Sequence, residues 1–219
     1  VLLTLTPPVA ADPTAGERPA EDPGPATSTR DAAEGTEENL GQPITGLTNA
    51  GAGYTENADG RDIGLVVAGG SPSQFSAVDL VTGELLVSQP IEGSTLTWAY
   101  ATTPDRMVYV ATSDGQVFRF DPDALSLTQI AYRPFGERYF WEAQADDAGR
   151  VFFGTYPGGK VLGYDPATNA WQDFGTQVEG NQYARSLAVD GTTVYTGGGT
   201  EASLTRLDTT TGQVTTIAL

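Results

Sequence analysis

The stretch GTYPGGKVLGYDPATNAWQD, Gly154 to Asp173, decides the fold, because shifted copies of it account for most of the chain on either side. Its Tyr164-Asp165 step has counterparts at Val78-Asp79, Phe120-Asp121 and Leu207-Asp208, so the anchor aspartates lie 42, 44 and 43 residues apart. Before each anchor stands a β-branched or aromatic run (Leu65 to Val67, Val108 to Val110, Val151 to Phe153, Val194 to Thr196), then a small, glycine-rich turn. After each anchor comes a second turn (Thr82-Gly83, Asp123-Ala124, Thr168-Asn169, Thr211-Gly212) and another alternating run. Several short strands per copy, a period near 43 residues and no helical periodicity are the signature of propeller blades. The expected fold is therefore all-β, a β-propeller with four four-stranded blades at about 48–90, 91–133, 134–177 and 178–219.

Within each blade the chain is expected to run from the innermost to the outermost strand as an antiparallel meander. The innermost strands fall near Tyr54, Trp98 to Ala101, Trp141 to Ala145 and Arg185 to Val189. Pro104-Asp105-Arg106, Asp146 to Gly149 and Asp190-Gly191 turn the chain into the second strands; they lack the ligand spacing of calcium loops and read as hairpin turns. Asn39-Leu40-Gly41-Gln42 resembles the end of an outer strand, Asp173-Phe174-Gly175-Thr176, which makes 37–41 a candidate closing strand. No three-stranded blade is left for it to complete. Four blades with unjoined ends expose sheet faces, so the expectation is an N-terminal part of a larger ring of about seven blades, with a closed four-bladed ring as the alternative.

The head of the chain is of another kind. Val1 to Ala11 is apolar and ends in small residues, and reads as the remnant of a secretory signal peptide. It is too short for a membrane span. Residues 12–47 are rich in Pro, Ala, Gly, Thr and acidic residues, an acidic linker without the apolar surface to offset its chain entropy. These features place the protein as secreted or extracytoplasmic. The absence of Cys and His excludes disulfides, thiolate or imidazole metal sites and a histidine base within these residues. A net charge of −17 opposes binding to nucleic acid. No cofactor and no metal are expected.

In a meander of this order, the turn between strands two and three and the link from each outer strand to the next inner strand reach the same face. That rule gathers Tyr156 and Lys160 from a two-to-three turn, and Arg138, Tyr139, Trp141 and Glu142 from an entry to an inner strand, together with Arg133, Phe135 and Phe140. It adds Gln182, Tyr183 and Arg185 from the next copy, and Trp98 and Tyr100 from the previous one. Four of the eleven basic residues, including the only lysine, thus collect beside aromatics in an acidic protein. Aromatic faces stack on the apolar faces of sugars, and Arg and Lys pair with carboxylates or phosphates. Packing between blades is the competing account for Trp98, Phe140 and Trp141, and Arg185 has bonding to Glu142 or to loop carbonyls as its alternative.

Val151 to Thr168, with its strand, Gly-Thr, Gly-Lys-Val and Tyr-Asp-Pro-Ala-Thr, together with Gln182-Tyr183-Ala184-Arg185-Ser186, resembles the secreted bacterial propellers of the YVTN, quinoprotein-like and streptogramin-lyase-like group, in particular large actinobacterial ones. Looser versions of the pattern cover most of the chain. The resemblance implies the fold and not one activity, because that architecture hosts unrelated chemistries. Tyr164 and Trp171 also resemble a kelch blade, but the other copies have no matching tryptophan, and no copy ends in the Trp-Asp of WD repeats. The tryptophan-docking motifs of quinone-binding propellers are not evident. Three functions follow as expectations. The first is binding of a carbohydrate, small or other envelope ligand at the channel mouth. The second is a polysaccharide lyase on uronates, with Arg185 or Lys160 neutralising the carboxylate and Tyr183 or Tyr156 as base or acid. The resemblance implies histidine or a metal in such lyases, and later blades would have to supply them. The third is a scaffold for a protein partner.

Overall fold

The computed structural model describes residues 48–218. The expected signal remnant (1–11), linker (12–47) and closing strand (37–41) lie outside the described residues. Among the described residues sixteen strands form four antiparallel sheets, each a meander in chain order. The first holds β1 (Ala52–Glu56), β2 (Asp62–Ala68), β3 (Ser73–Asp79) and β4 (Leu85–Ile91). The second holds β5 (Thr97–Thr102), β6 (Val108–Thr112), β7 (Gln116–Asp121) and β8 (Ser126–Tyr132). The third holds β9 (Tyr139–Ala145), β10 (Val151–Tyr156), β11 (Lys160–Asp165) and β12 (Ala170–Thr176), and the fourth β13 (Ala184–Asp190), β14 (Thr193–Gly198), β15 (Ser203–Asp208) and β16 (Val214–Ile217). These are propeller blades, and the all-β expectation holds. Among the described residues no helix is long and apolar enough to cross a membrane.

The burial pattern shows how the sheets stack. In β6 every residue is buried, and in β10 all but the last, because the second and third sheets are covered on both faces. In β2 and β14 burial alternates, because only one face of the first and fourth sheets has a neighbour. Leu65, Val67 and Phe75 meet Val110 and Phe120 between sheets one and two. Tyr109 and Ala111 meet Phe140, Phe153 and Tyr164 between two and three, and Phe152 and Val161 meet Leu187 and Val194 between three and four. Each Val, Leu or Phe among them contributes about 1.5–3 kcal/mol relative to exposure. The inner strands lie side by side in the order β1, β5, β9, β13, and no strand of the fourth sheet packs on the first to a comparable extent. The sheets thus form an open arc rather than the closed four-bladed ring.

The two end faces differ. On the first sheet the free face carries Val66 and Val78 with Tyr54 and Leu85 largely exposed. On the fourth, Tyr195 stands across from Arg206, repeating the pair Tyr109 and Arg119 that the second sheet turns toward the third. Both arginines are exposed, but Tyr109 is buried whereas Tyr195 is only half-buried.

The anchor aspartates close the turn after strand three. Asp79 Oδ1 accepts from the backbone N–H of Val81 and Thr82, both at 2.8 Å, and Asp121 Oδ1 from those of Asp123 and Ala124, both at 2.9 Å. Asp165 does so with Ala167 and Asp208 with Thr210 and Thr211. Four residues after each anchor the chain turns left-handed, at Gly83, Leu125, Asn169 and Gly212. Glycine and asparagine tolerate that conformation; Leu125 does not, but its side chain packs on the core between sheets one and two.

These hydrogen bonds favour the carboxylate form. The N–H of Thr82 foremost holds the Asp79 carboxyl below its usual range, and the Thr210 hydroxyl and N–H do the same for Asp208. A carboxyl whose folded-state pKa is depressed stabilises the fold above its unfolded-state pKa of about 3.9 and loses that contribution as pH falls through the folded value. Replacing Asp79 and Asp208 together by Asn is therefore expected to lower stability at pH 7 and to shrink the stability difference between pH 7 and pH 3, as read from urea unfolding. An unchanged difference would show that these turns are not part of the acid response.

Candidate aromatic platform on the inner strands

Three inner strands share one irregularity. In β5, Thr97 and Ala99 pair with Thr112 and Ala111; in β9, Phe140 and Glu142 pair with Thr155 and Gly154; in β13, Ala184 and Ser186 pair with Gly198 and Gly197. The residues left out of the ladder are Trp98, Trp141 and Arg185. A bulge sets two residues against one and re-aims a side chain, and here it does so at the same level of three adjacent blades. The extruded side chains pack on one another: the Trp98 and Trp141 ring centroids are 4.7 Å apart with the planes tilted by 39°, and the Arg185 guanidinium carbon lies 4.5 Å from a Trp141 ring centroid.

Tyr139 at the start of β9, Tyr156 at the end of β10 and Tyr183 just before β13 complete the group. Tyr139 is 6.4 Å from Trp141 and nearly parallel to it, at 19°. Tyr156 lies 5.6 Å from Tyr139 and 4.8 Å from Tyr183, and Tyr183 is 5.8 Å from Trp141. Four rings thus form a closed circuit, with Trp98 packed on it. Each contact contributes about 0.5–1.5 kcal/mol beyond burial, so the rings brace one another. All five rings are half-buried and keep part of their surface in solvent. The Trp141 Nε1 is buried without a hydrogen-bond partner among the described residues, a donor whose desolvation costs about 1–3 kcal/mol.

The Tyr156 loop is held by residues from two other segments. Glu137, 3 % exposed, accepts the Gly158 N–H at 2.9 Å. Gly159 sits at φ 57°, and a Cβ there would run into the carbonyl of Asn181. The Arg138 N–H donates to the Tyr156 carbonyl at 2.9 Å.

The remaining predicted residues divide. Arg138 and Gln182 are exposed; no carboxylate lies within 4.0 Å of the Arg138 guanidinium among the described residues. Glu142 is half-buried, and burial pushes its carboxyl up against the opposing effect of the Gln144 amide, which donates at 3.3 Å. Lys160 is not a free cation: its Nζ is 2.7 Å from Asp173 Oδ2 and 3.9 Å from Glu137 Oε1. Tyr100 stands apart, packed on the first sheet, where its phenol oxygen accepts the Val67 N–H at 2.9 Å. Phe140 is wholly buried between sheets two and three, the packing account of that residue. Arg133 pairs with Asp114 at 2.6 Å, and Phe135 is exposed. Glu137 and Asn181 were not singled out in the sequence, and only their position in links between blades points to them.

The larger hollows lie away from the platform. One of about 550 Å³ is lined by Arg61, Asp62 and Asp79 at the first sheet, one of about 450 Å³ by Tyr54, Tyr100 and Arg106 beside β1 and β5, and one of about 370 Å³ by Arg150, Phe152 and Phe174 on the third sheet. The platform is a surface rather than a cavity. Among the described residues no three metal-ligating side chains converge.

No protein-family model and no curated protein sequence matches the chain. Solved structures do. BamB from Moraxella catarrhalis is similar over 76 % of this chain and 48 % of its own, at 19 % identity and a TM-score of 0.56. Virginiamycin B lyase from Staphylococcus aureus is similar over 81 % and 58 %, at 12 % identity and 0.64, and a chain of the mitotic checkpoint complex over 78 % and 51 %, at 15 % identity and 0.62. The chain spans about half the length of these structures. At such identities the likeness is one of fold alone. It supports the broader part of the resemblance, a β-propeller made of repeated blades, and assigns the chain to no family within it.

Proposed function

We propose that the platform binds a carbohydrate, in a secreted or extracytoplasmic protein. The observation that carries this reading is the closed circuit of Trp141, Tyr183, Tyr156 and Tyr139 with Trp98 packed upon it, half-exposed at one level of the inner strands. A sugar ring has an apolar C–H face and a rim of hydroxyls, and it matches an aromatic surface bordered by polar groups. Arg185 lies over Trp141, and the exposed Arg138 and Gln182 stand next to Tyr139 and Tyr183 in the chain. Non-catalytic binding is favoured over the uronate lyase because the ion pairs of Lys160 remove one of its two neutralising cations. The extracytoplasmic placement rests on the reading of Val1 to Ala11.

The test is retention on a set of immobilised saccharides, neutral and acidic, followed by titration of those that bind. Trp98→Ala is expected to weaken binding about tenfold, the effect of losing about 1.4 kcal/mol of contact. Failure of the folded protein to retain any saccharide would overturn the reading.

A further inference from the structure

The cations of this protein are mostly spoken for. Of the nine described Lys and Arg residues, five lie within 4.0 Å of a carboxylate, as expected where acidic groups outnumber basic ones so heavily. Arg119, Arg138, Arg185 and Arg206 have no such neighbour among the described residues. Arg119 and Arg206 stand on the sheet faces described above. Arg138 and Arg185 both border the platform, one beside Tyr139 in sequence and bonded through its backbone to Tyr156, the other stacked on Trp141. Two exposed guanidinium groups with no carboxylate within 4.0 Å among the described residues, on segments of one platform in a chain with net charge −17, are suited to a negative ligand.

We propose that the platform takes a saccharide bearing a single carboxylate, held by Arg185 with Arg138 beside it. The proposal rests on the carbohydrate reading and narrows it. A guanidinium stacked on an indole face keeps its in-plane N–H fork free, and that fork matches a carboxylate in two parallel hydrogen bonds. The stack also fixes the fork relative to the ring on which the sugar lies, so charge and sugar face are read together. The single charge follows from the rest of the molecule. Charges act over only about 8 Å at physiological ionic strength, so a second carboxylate of a polyanion, beyond the reach of the Arg185 fork, meets the acidic groups on the platform's own segments, Glu142 next to Trp141 and Glu137 against the Tyr156 loop.

The experiment is calorimetric titration of the folded protein with a glucuronic-acid-containing disaccharide, its neutral glucose counterpart, a sulfated neutral disaccharide and a polyuronide. The acidic disaccharide is expected to bind at least tenfold more tightly than the neutral one. Arg185→Gln is expected to reduce that acid-to-neutral ratio about tenfold. Arg185→Lys restores it only in part, because an ammonium lacks the planar fork. Arg119→Gln leaves the ratio unchanged, which separates a local effect from one of net charge. Equal affinity for the acidic and neutral disaccharides overturns this inference and leaves the carbohydrate reading standing; preference for the sulfated sugar, or tighter binding per residue to the polyuronide, overturns the single carboxylate. If none of the four binds, the carbohydrate reading fails for these classes and this inference fails with it.

Discussion

Trp141→Ala is expected to weaken saccharide binding by about thirtyfold or more, the loss of about 2 kcal/mol that marks a central interface residue. Trp141 is the node of the platform: Trp98, Tyr139, Tyr183 and Arg185 all pack on it, and no other platform residue touches so many of the rest. Its removal takes a stacking surface away and frees Arg185 from the orientation that the indole imposes. The effect on stability is expected to be smaller than that of deleting a wholly buried aromatic, about 3–5 kcal/mol, for two reasons. The ring is only half-buried, and its unpaired Nε1 already costs free energy that alanine does not carry. Trp141→Phe is the informative partner: it keeps a ring at the node, removes the orphan donor, and should retain most of the binding with stability equal to or above that of the parent. Urea unfolding and titration of both variants check the pair of effects. A folded Trp141→Ala protein that binds a saccharide as the parent does would show that the platform is not the site.

The fold was legible because its signals are local. An aspartate that closes a turn by accepting the backbone N–H groups, or a hydroxyl, of the next two or three residues has to stand at a fixed place after strand three, so the anchors Asp79, Asp121, Asp165 and Asp208 mark the period directly. The grouping of Trp98, Tyr139, Trp141, Tyr156, Tyr183 and Arg185 follows from meander order alone, and the structure brings them together. Tyr100 shows where such reasoning stops. Two residues after Trp98, it belongs on the same side by strict alternation, but the bulge at Trp98 shifts the register, and Tyr100 turns toward the first sheet. Nothing in the strand itself announces a bulge. Lys160 shows the second limit: its partners Glu137 and Asp173 lie in an inter-blade link and in β12, and sequence distance does not report that approach. The sidedness of the arc was legible only in part. Continuous apolar runs in β6 and β10 speak of two covered faces, whereas the half-buried Tyr195 acquires meaning only beside its buried counterpart Tyr109.

Gly154→Ala is expected to destabilise the protein by about 1–3 kcal/mol, the usual effect of forcing an extra carbon into a packed site, and to disturb the platform as well. Gly154 pairs with Glu142 at the β9 bulge, and a Cβ there would run into the carbonyl oxygen of Ala184. That oxygen cannot move alone, because Ala184 is held in register with Gly198 at the opening of the β13 bulge. The relief is a shift of β13 away from β9 and β10, and the first side chain carried with it is Arg185. Gly212→Ala is the control: Gly212 is at φ 73° with open space around it, so alanine there meets conformational strain of about 1–2 kcal/mol without a collision. The two variants should therefore lose similar stability yet differ in the site. Gly154→Ala changes the tryptophan fluorescence and lowers saccharide affinity; Gly212→Ala does neither. Were Gly154→Ala to leave both as in the parent, the close approach of the third and fourth blades would not be what holds Arg185 over Trp141, and the bulges alone would have to position it.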